Sequence, residues 1–201
     1  MKKAIQGLSA ADPVLADLIQ KTGPYRIRYL EPDYEALAKA IIYQQLSGKV
    51  ARVIFERLRQ AAGNGRVTAE SVLRLAPAKL RSLGLSRQKI AYLKELAAQH
   101  RTGEVDLAAM RRMKDDEVIR ALTRLKGVGL WTAHMFLIFA LRRKDVLPSG
   151  DLGIRAAVQR AYELPQLPSP AEVEAIGERW RPWRTVASWY LWRSLEPDAN
   201  L

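Results

Sequence analysis

Leu125-Lys126-Gly127-Val128-Gly129 stands between two segments with the apolar spacing of helices, Val118, Ile119 and Leu122 before it and Trp131 to Leu141 after it. Its two glycines allow a tight turn with positive φ, where a side chain would clash. Such a turn exposes successive backbone N–H groups beside the N-terminus of the next helix. That makes an anion site suited to a DNA phosphate, one that reads backbone and not base sequence. Taken alone, the same pattern also fits a plain interhelical turn.

The helical period extends outward from this hairpin in both directions. Upstream, Tyr34, Leu37, Ala38, Ile41 and Ile42 form one stripe, with Asp33 as its N-cap. After Ser47-Gly48 a second helix directs Val50, Val53, Ile54 and Leu58 inward and breaks at Gly63-Asn64-Gly65. Short helices are predicted over 69–75 and 78–83, the latter stopped by Gly84. Ser86 caps a helix carrying Ile90, Leu93, Leu96 and Ala97, and Asp115 caps the one that enters the hairpin. Downstream, Asp151 opens a helix reaching Tyr162, and Ser169-Pro170-Ala171-Glu172 is a capping box with Pro at the first helical position. The last helix starts near Pro182-Trp183 and stops at Pro197. No stretch alternates as a strand should, so the predicted class is all-α.

Composition narrows the function. The 201 residues hold 33 Lys and Arg against 21 Asp and Glu, a net charge of +12. That excess points to a polyanionic partner, with an Arg-rich surface of other origin as the alternative. There is no cysteine, which excludes disulfides, thiolate zinc sites and iron–sulfur clusters. No apolar run has signal-peptide or membrane-spanning length, so a cytoplasmic protein associated with the nucleoid through DNA is expected. His100 and His134 are too isolated to form a metal site, and no cofactor is expected.

Four motifs in order give the chain a resemblance. They are Ile41-Ile42-Tyr43-Gln44-Gln45-Leu46-Ser47, the hairpin continued as Leu130-Trp131-Thr132-Ala133, Asp145-Val146-Leu147-Pro148-Ser149-Gly150-Asp151, and Arg179-Trp180-Arg181-Pro182-Trp183-Arg184. Together they resemble the helix–hairpin–helix DNA glycosylase superfamily, in its DNA-3-methyladenine glycosylase II branch. The resemblance implies two helical lobes flanking a DNA-binding cleft. One lobe would span 33–132 and end in the hairpin; the other would join 1–32 to 133–201. The branch's defining relative has an additional β-rich N-terminal domain that residues 1–30 are too few to supply, so a compact form is expected. A monomer acting on double-stranded DNA with damaged bases is expected too, releasing alkylated purines of the 3-methyladenine type.

The same resemblance assigns roles. Asp151 matches the family's catalytic aspartate, whose negative charge stabilises the oxocarbenium-like transition state; by itself an Asp there is an N-cap. Asp145 is the competing carboxylate and reads as solvated or structural. Members that also cut the strand carry a lysine two residues beyond the second glycine, where this chain has Trp131. Base release without strand cleavage follows. Trp131, Trp192, Met135 and Tyr43 are the pocket candidates, with Trp180, Trp183 and Trp189 left to packing. Lys126, Gly127, Val128 and Gly129 would hold phosphate, joined by Arg87 and Lys89. The loop Gln45-Leu46-Ser47 would fill the gap left by a flipped base, with Gln45 as first choice of wedge and Leu46 as second. The hairpin carbonyls are a further candidate site for a monovalent cation. Three rival readings stand beside this one: a non-catalytic DNA-binding module, a glycosylase for oxidised or deaminated bases, and a hydrolase acting on free nucleosides, which would not need so basic a surface.

Overall fold

Short polar side chains set the helix starts in this chain. Asp12, Asp33, Ser47, Thr68, Ser86, Asp151 and Ser169 each accept a hydrogen bond from a backbone N–H two or three residues on, satisfying groups that the helix leaves unpaired. The computed structural model describes residues 1–195, and every regular element among them is helical. No helix among the described residues is long and apolar enough to cross a membrane.

The chain divides into two units. The central unit, Leu30–Leu141, holds α3 (Tyr34–Tyr43), α4 (Gly48–Ala62), α5 (Ala69–Arg74), α6 (Pro77–Ser82), α7 (Arg87–Thr102), α8 (Asp115–Thr123) and α9 (Leu130–Met135). Seven of the ten residues of α3 are buried, so it is the unit's core helix and packs against α4, α7 and α9. Tyr34 reaches across to donate to Leu93 O at 2.8 Å. α9 runs on as a wider π turn over Phe136–Ala140, closed by Leu141 N donating to Phe136 O. The unit thus extends past the border expected between Thr132 and Ala133, which falls inside α9.

Two expectations for this unit are corrected. Val50 and Val53 do not face inward: they are 47% and 44% exposed, and the buried row of α4 is Ala51, Ile54, Phe55, Leu58 and Ala62. The small Ala51 occupies the inner position next to valine. Asp115 is the first residue of α8 and not its cap; Glu117 closes that start by accepting from Lys114 N at 2.8 Å.

The other unit joins Met1–Tyr29 to Arg142 onward, with α1 (Lys2–Ala11), α2 (Pro13–Thr22), α10 (Leu152–Ala161), α11 (Pro170–Gly177) and α12 (Arg184–Leu195). Its core includes Leu8, Leu15, Ile154, Val158, Trp180, Tyr190 and Leu191. Asp12 sits within it fully buried and fully used. Its Oδ1 caps α2 through Val14 N and Leu15 N, while Oδ2 accepts from Trp180 Nε1 at 2.9 Å and from the Tyr162 hydroxyl. Burial, reinforced by the Asp12 carboxylate, pushes the Tyr162 hydroxyl far above its ordinary range, so it remains a neutral donor. Trp180 and Trp189 are buried as packing residues. Pro197, the expected stop of the last helix, lies outside the described residues.

Candidate DNA interface and active site

The hairpin turn forms in the central unit from residues that differ in their demands. Gly127 has φ 80°, and a Cβ built there would overlap the ring of Tyr92, so both backbone and packing require glycine. Gly129 does not have positive φ. It is the extended N-cap of α9, at φ −95° and ψ −179°, and a Cβ there would meet open space. The expectation of two left-handed glycines therefore holds for the first only. Val128 also departs from expectation: its side chain is buried and its N–H closes the turn onto Leu125 O at 3.0 Å. The N–H groups at the start of α9 follow directly after, with no carbonyl four residues earlier in the helix to receive them. Lys126 is exposed and lies 3.6 Å from Glu95, a surface pair worth little against a phosphate.

In the other unit, the loop ahead of α10 is fixed from several sides. Asp145 accepts from Arg184 and Arg181, and Thr185 links the loop by donating to Arg143 O and accepting from Val146 N. Partial burial works against the Asp145 charge, but the hydrogen bonds and charge of Arg184, with help from Arg181, outweigh it and hold the carboxyl below its ordinary value. Asp145 is structural. Leu147 fills the space where a side chain on Gly177 would stand. The loop closes with Asp151 N donating to Pro148 O, and Asp151 begins α10.

Asp151 is oriented by two donors on one oxygen. Ile154 N and the indole Nε1 of Trp192 each donate to its Oδ1 at 2.8 Å. A Cβ on Gly153 would crowd both, at 3.0 Å from that oxygen and 3.2 Å from the Trp192 ring, so glycine there leaves room for the pair. The cap role and a chemical role are thus compatible: the carboxylate serves α10 and remains half-exposed.

Residues 38–182 match the HhH-GPD superfamily, described as a base excision DNA repair protein family. The chain belongs to the HhH-GPD superfamily. It is 36% identical over 96% of its length to DNA-3-methyladenine glycosylase 1 of Schizosaccharomyces pombe, covering 87% of that protein. The solved structure of the S. pombe 3-methyladenine DNA glycosylase Mag1 in complex with abasic DNA superimposes with a TM-score of 0.89 at 36% identity, over 96% of both chains. The 3-methyladenine DNA glycosylase of Archaeoglobus fulgidus does so with a TM-score of 0.82 at 30% identity, over 96% of this chain and 68% of that one.

The remaining predicted residues of this superfamily member divide between the units. Tyr43, Trp131 and Met135 belong to the central unit, and Trp192 lies beside Asp151 in the other. Trp131 and Tyr43 are half-buried, with Lys39 Nζ 5.4 Å above the Tyr43 ring. Met135 is only 8% exposed. Gln45 is exposed in a left-handed turn at φ 56°, and Leu46 is exposed at 38%, not in the core. Ser47 caps α4 through Val50 N. Arg87 is exposed at the start of α7.

Lys89 is a correction. Its Nζ donates to Ile42 O and Gln44 O at 2.7 Å each, capping the end of α3, and desolvation lowers its pKa. Two of its three ammonium donors are thus taken by backbone carbonyls, which gives it a structural role. No role for Gln44 is legible in the sequence, yet its Nε2 donates to Gly127 O and to Thr132 Oγ1, both at 2.8 Å. Only a polar side chain between an apolar helix and an exposed loop hinted at such a role. A cation at the hairpin would share Gly127 O with Gln44 and Leu125 O with Val128 N. Among the described residues no group of His, Asp and Glu could hold a metal ion.

Proposed function

We propose that this chain is a DNA-3-methyladenine glycosylase that flips alkylated purines from duplex DNA and hydrolyses their N-glycosylic bond without cutting the strand. The observation that carries it is the Asp151 carboxylate, held by Trp192 Nε1 and Ile154 N at the start of α10 in a chain of the HhH-GPD superfamily. As the base leaves, positive charge grows on the sugar, and a fixed carboxylate stabilises it without reorganising at the moment of reaction. Trp131 occupies the position where a lyase holds its lysine, so water supplies the nucleophile and an abasic site is the product.

The other residues take supporting roles in this reading. Gly127, Gly129 and the first N–H groups of α9 hold a phosphate, with Lys126 and Arg87 adding charge. Gln45 or Leu46 enters the gap, for which an exposed left-handed turn is well suited. Trp131, Trp192 and Tyr43 offer aromatic faces to a cationic purine. The enzyme works as a monomer on chromosomal DNA in the cytoplasm.

Release of 3-methyladenine from methylated duplex DNA tests the assignment, compared between the protein and Asp151→Asn. The amide oxygen keeps both hydrogen bonds at Oδ1, so the variant should fold and bind DNA. It should lose turnover by at least about a hundredfold, the scale of a removed transition-state charge contact. Near-normal release by the variant would take Asp151 out of the chemistry. Release of oxidised bases only would favour the second glycosylase reading.

A further inference from the structure

Gln44 joins three parts of the central unit that are far apart in sequence. Its side-chain amide spans the hairpin turn at Gly127 O and the first turn of α9 at Thr132 Oγ1. Its own carbonyl is held from α7 by Lys89 Nζ, which also takes Ile42 O. The helical bonds at this point are weak: Gln44 N to Ile41 O and Leu46 N to Tyr43 O are both 3.4 Å. The next residue, Gln45, has φ 56°, a conformation that a side-chain-bearing residue keeps only when its surroundings impose it. The residue before it, Gln44, is held at both its side-chain amide and its carbonyl.

We propose that Gln44 is a positioning residue that sets the wedge loop in register with the phosphate-holding hairpin, with Lys89 as its buttress. This rests on the reading of Gln45-Leu46 as the wedge. The partners of Gln44 are groups of the hairpin itself, and Gln44 directly precedes the residue that must enter the duplex. Gripping the backbone and filling the vacated base position therefore become one mechanical event. Loss of the amide leaves the phosphate N–H groups in place while freeing the loop. Binding to undamaged DNA should survive, and base flipping should not.

The test uses Gln44→Met, which keeps chain length but has no donor, and Gln44→Glu, whose carboxylate offers only acceptors to Gly127 O until protonation restores one donor. The probe is a duplex with 2-aminopurine beside an abasic-site analogue, whose fluorescence rises on unstacking. Gln44→Met should bind undamaged duplex about as the wild type does, lose most of the fluorescence rise, and release base in single turnover about tenfold to a hundredfold more slowly, as for a misplacement near 1 Å. Gln44→Glu should recover on acidification relative to Gln44→Met, a pH response that a purely structural role would not give. Gln45→Ala and Leu46→Ala run in parallel. A rise lost in these but kept in Gln44→Met, with wild-type release, overturns the proposal alone. Loss of undamaged-duplex binding in step with thermal stability overturns it too. A rise unaffected in both wedge variants removes the wedge reading and the proposal with it.

Discussion

The two hairpin glycines should respond oppositely to the same substitution, because one is demanded by the fold and the other faces open space. In Gly127→Ala a residue with a Cβ must hold φ 80°, at a cost of about 1–2 kcal/mol. The added methyl also displaces the Tyr92 ring, an overpacking term of about 1–3 kcal/mol. Together these come to about 2–5 kcal/mol, and for a chain of this size they lower the unfolding midpoint by roughly 4–20 °C. Gly129→Ala keeps an extended backbone that any residue adopts; the loss of glycine's N-cap preference over alanine, about 1 kcal/mol, is largely offset by alanine's lower unfolded-state entropy, about 0.4–1 kcal/mol, so its stability should change little. On the proposed assignment its methyl adds bulk to the turn that receives the phosphate, and affinity for undamaged duplex should fall about tenfold, about 1.4 kcal/mol. Thermal unfolding and fluorescence anisotropy at fixed salt measure the two effects separately. A folded Gly129→Ala that binds duplex like the wild type would refute the assignment of the turn as the phosphate site. An unchanged midpoint in Gly127→Ala would refute the packing argument.

Three further outcomes follow from the site and its supports. Borohydride should trap no covalent protein–DNA adduct, and the strand should stay intact after base release until alkali or heat is applied; an efficient adduct would reveal an amine nucleophile. Lys126→Ala should weaken binding to damaged and undamaged duplex alike and reduce the slope of log affinity against log salt by about one, which titrations at several salt concentrations check. Asp145 has a folded pKa below its ordinary value, so its contribution is complete above that ordinary value and is lost as pH falls through the depressed one. The midpoint gap between wild type and Asp145→Asn should therefore be widest near neutral pH and close on acidification.

Much of this molecule was legible because its signals are local. Caps such as Asp33, Ser86 and Ser169 act within three residues, so helix starts could be read directly. The helix starts at α1 and α2 escaped notice because their only sharp signal, Asp12-Pro13, is one cap between two short helices. On α4 two apolar rows compete, and the row containing Ala51 packs inward while the bulkier Val50 and Val53 stay exposed, which period alone cannot decide. At the site, the cap role of Asp151 was legible from its place at a helix start, whereas the bonds of Lys89 were not, because its partners are carbonyls of a distant segment. Gln44 is the same case: its acceptors lie 83 and 88 residues away, a distance at which spacing carries no information.

The unit that carries Asp151 is assembled from both ends of the described chain, with Asp12 bonded to Trp180 and Asp151 bonded to Trp192. During synthesis the central unit has all of its residues once Leu141 has emerged, and it can fold first. α1 and α2 must wait for partners that leave the ribosome after the central unit, and loop closure over that span is slow relative to local contacts. On the proposed assignment, a nascent chain therefore completes its phosphate-holding hairpin before its carboxylate is set. Premature termination before residue 192 should yield a species that occupies DNA and leaves every base attached, a ready-made competitor of the finished enzyme.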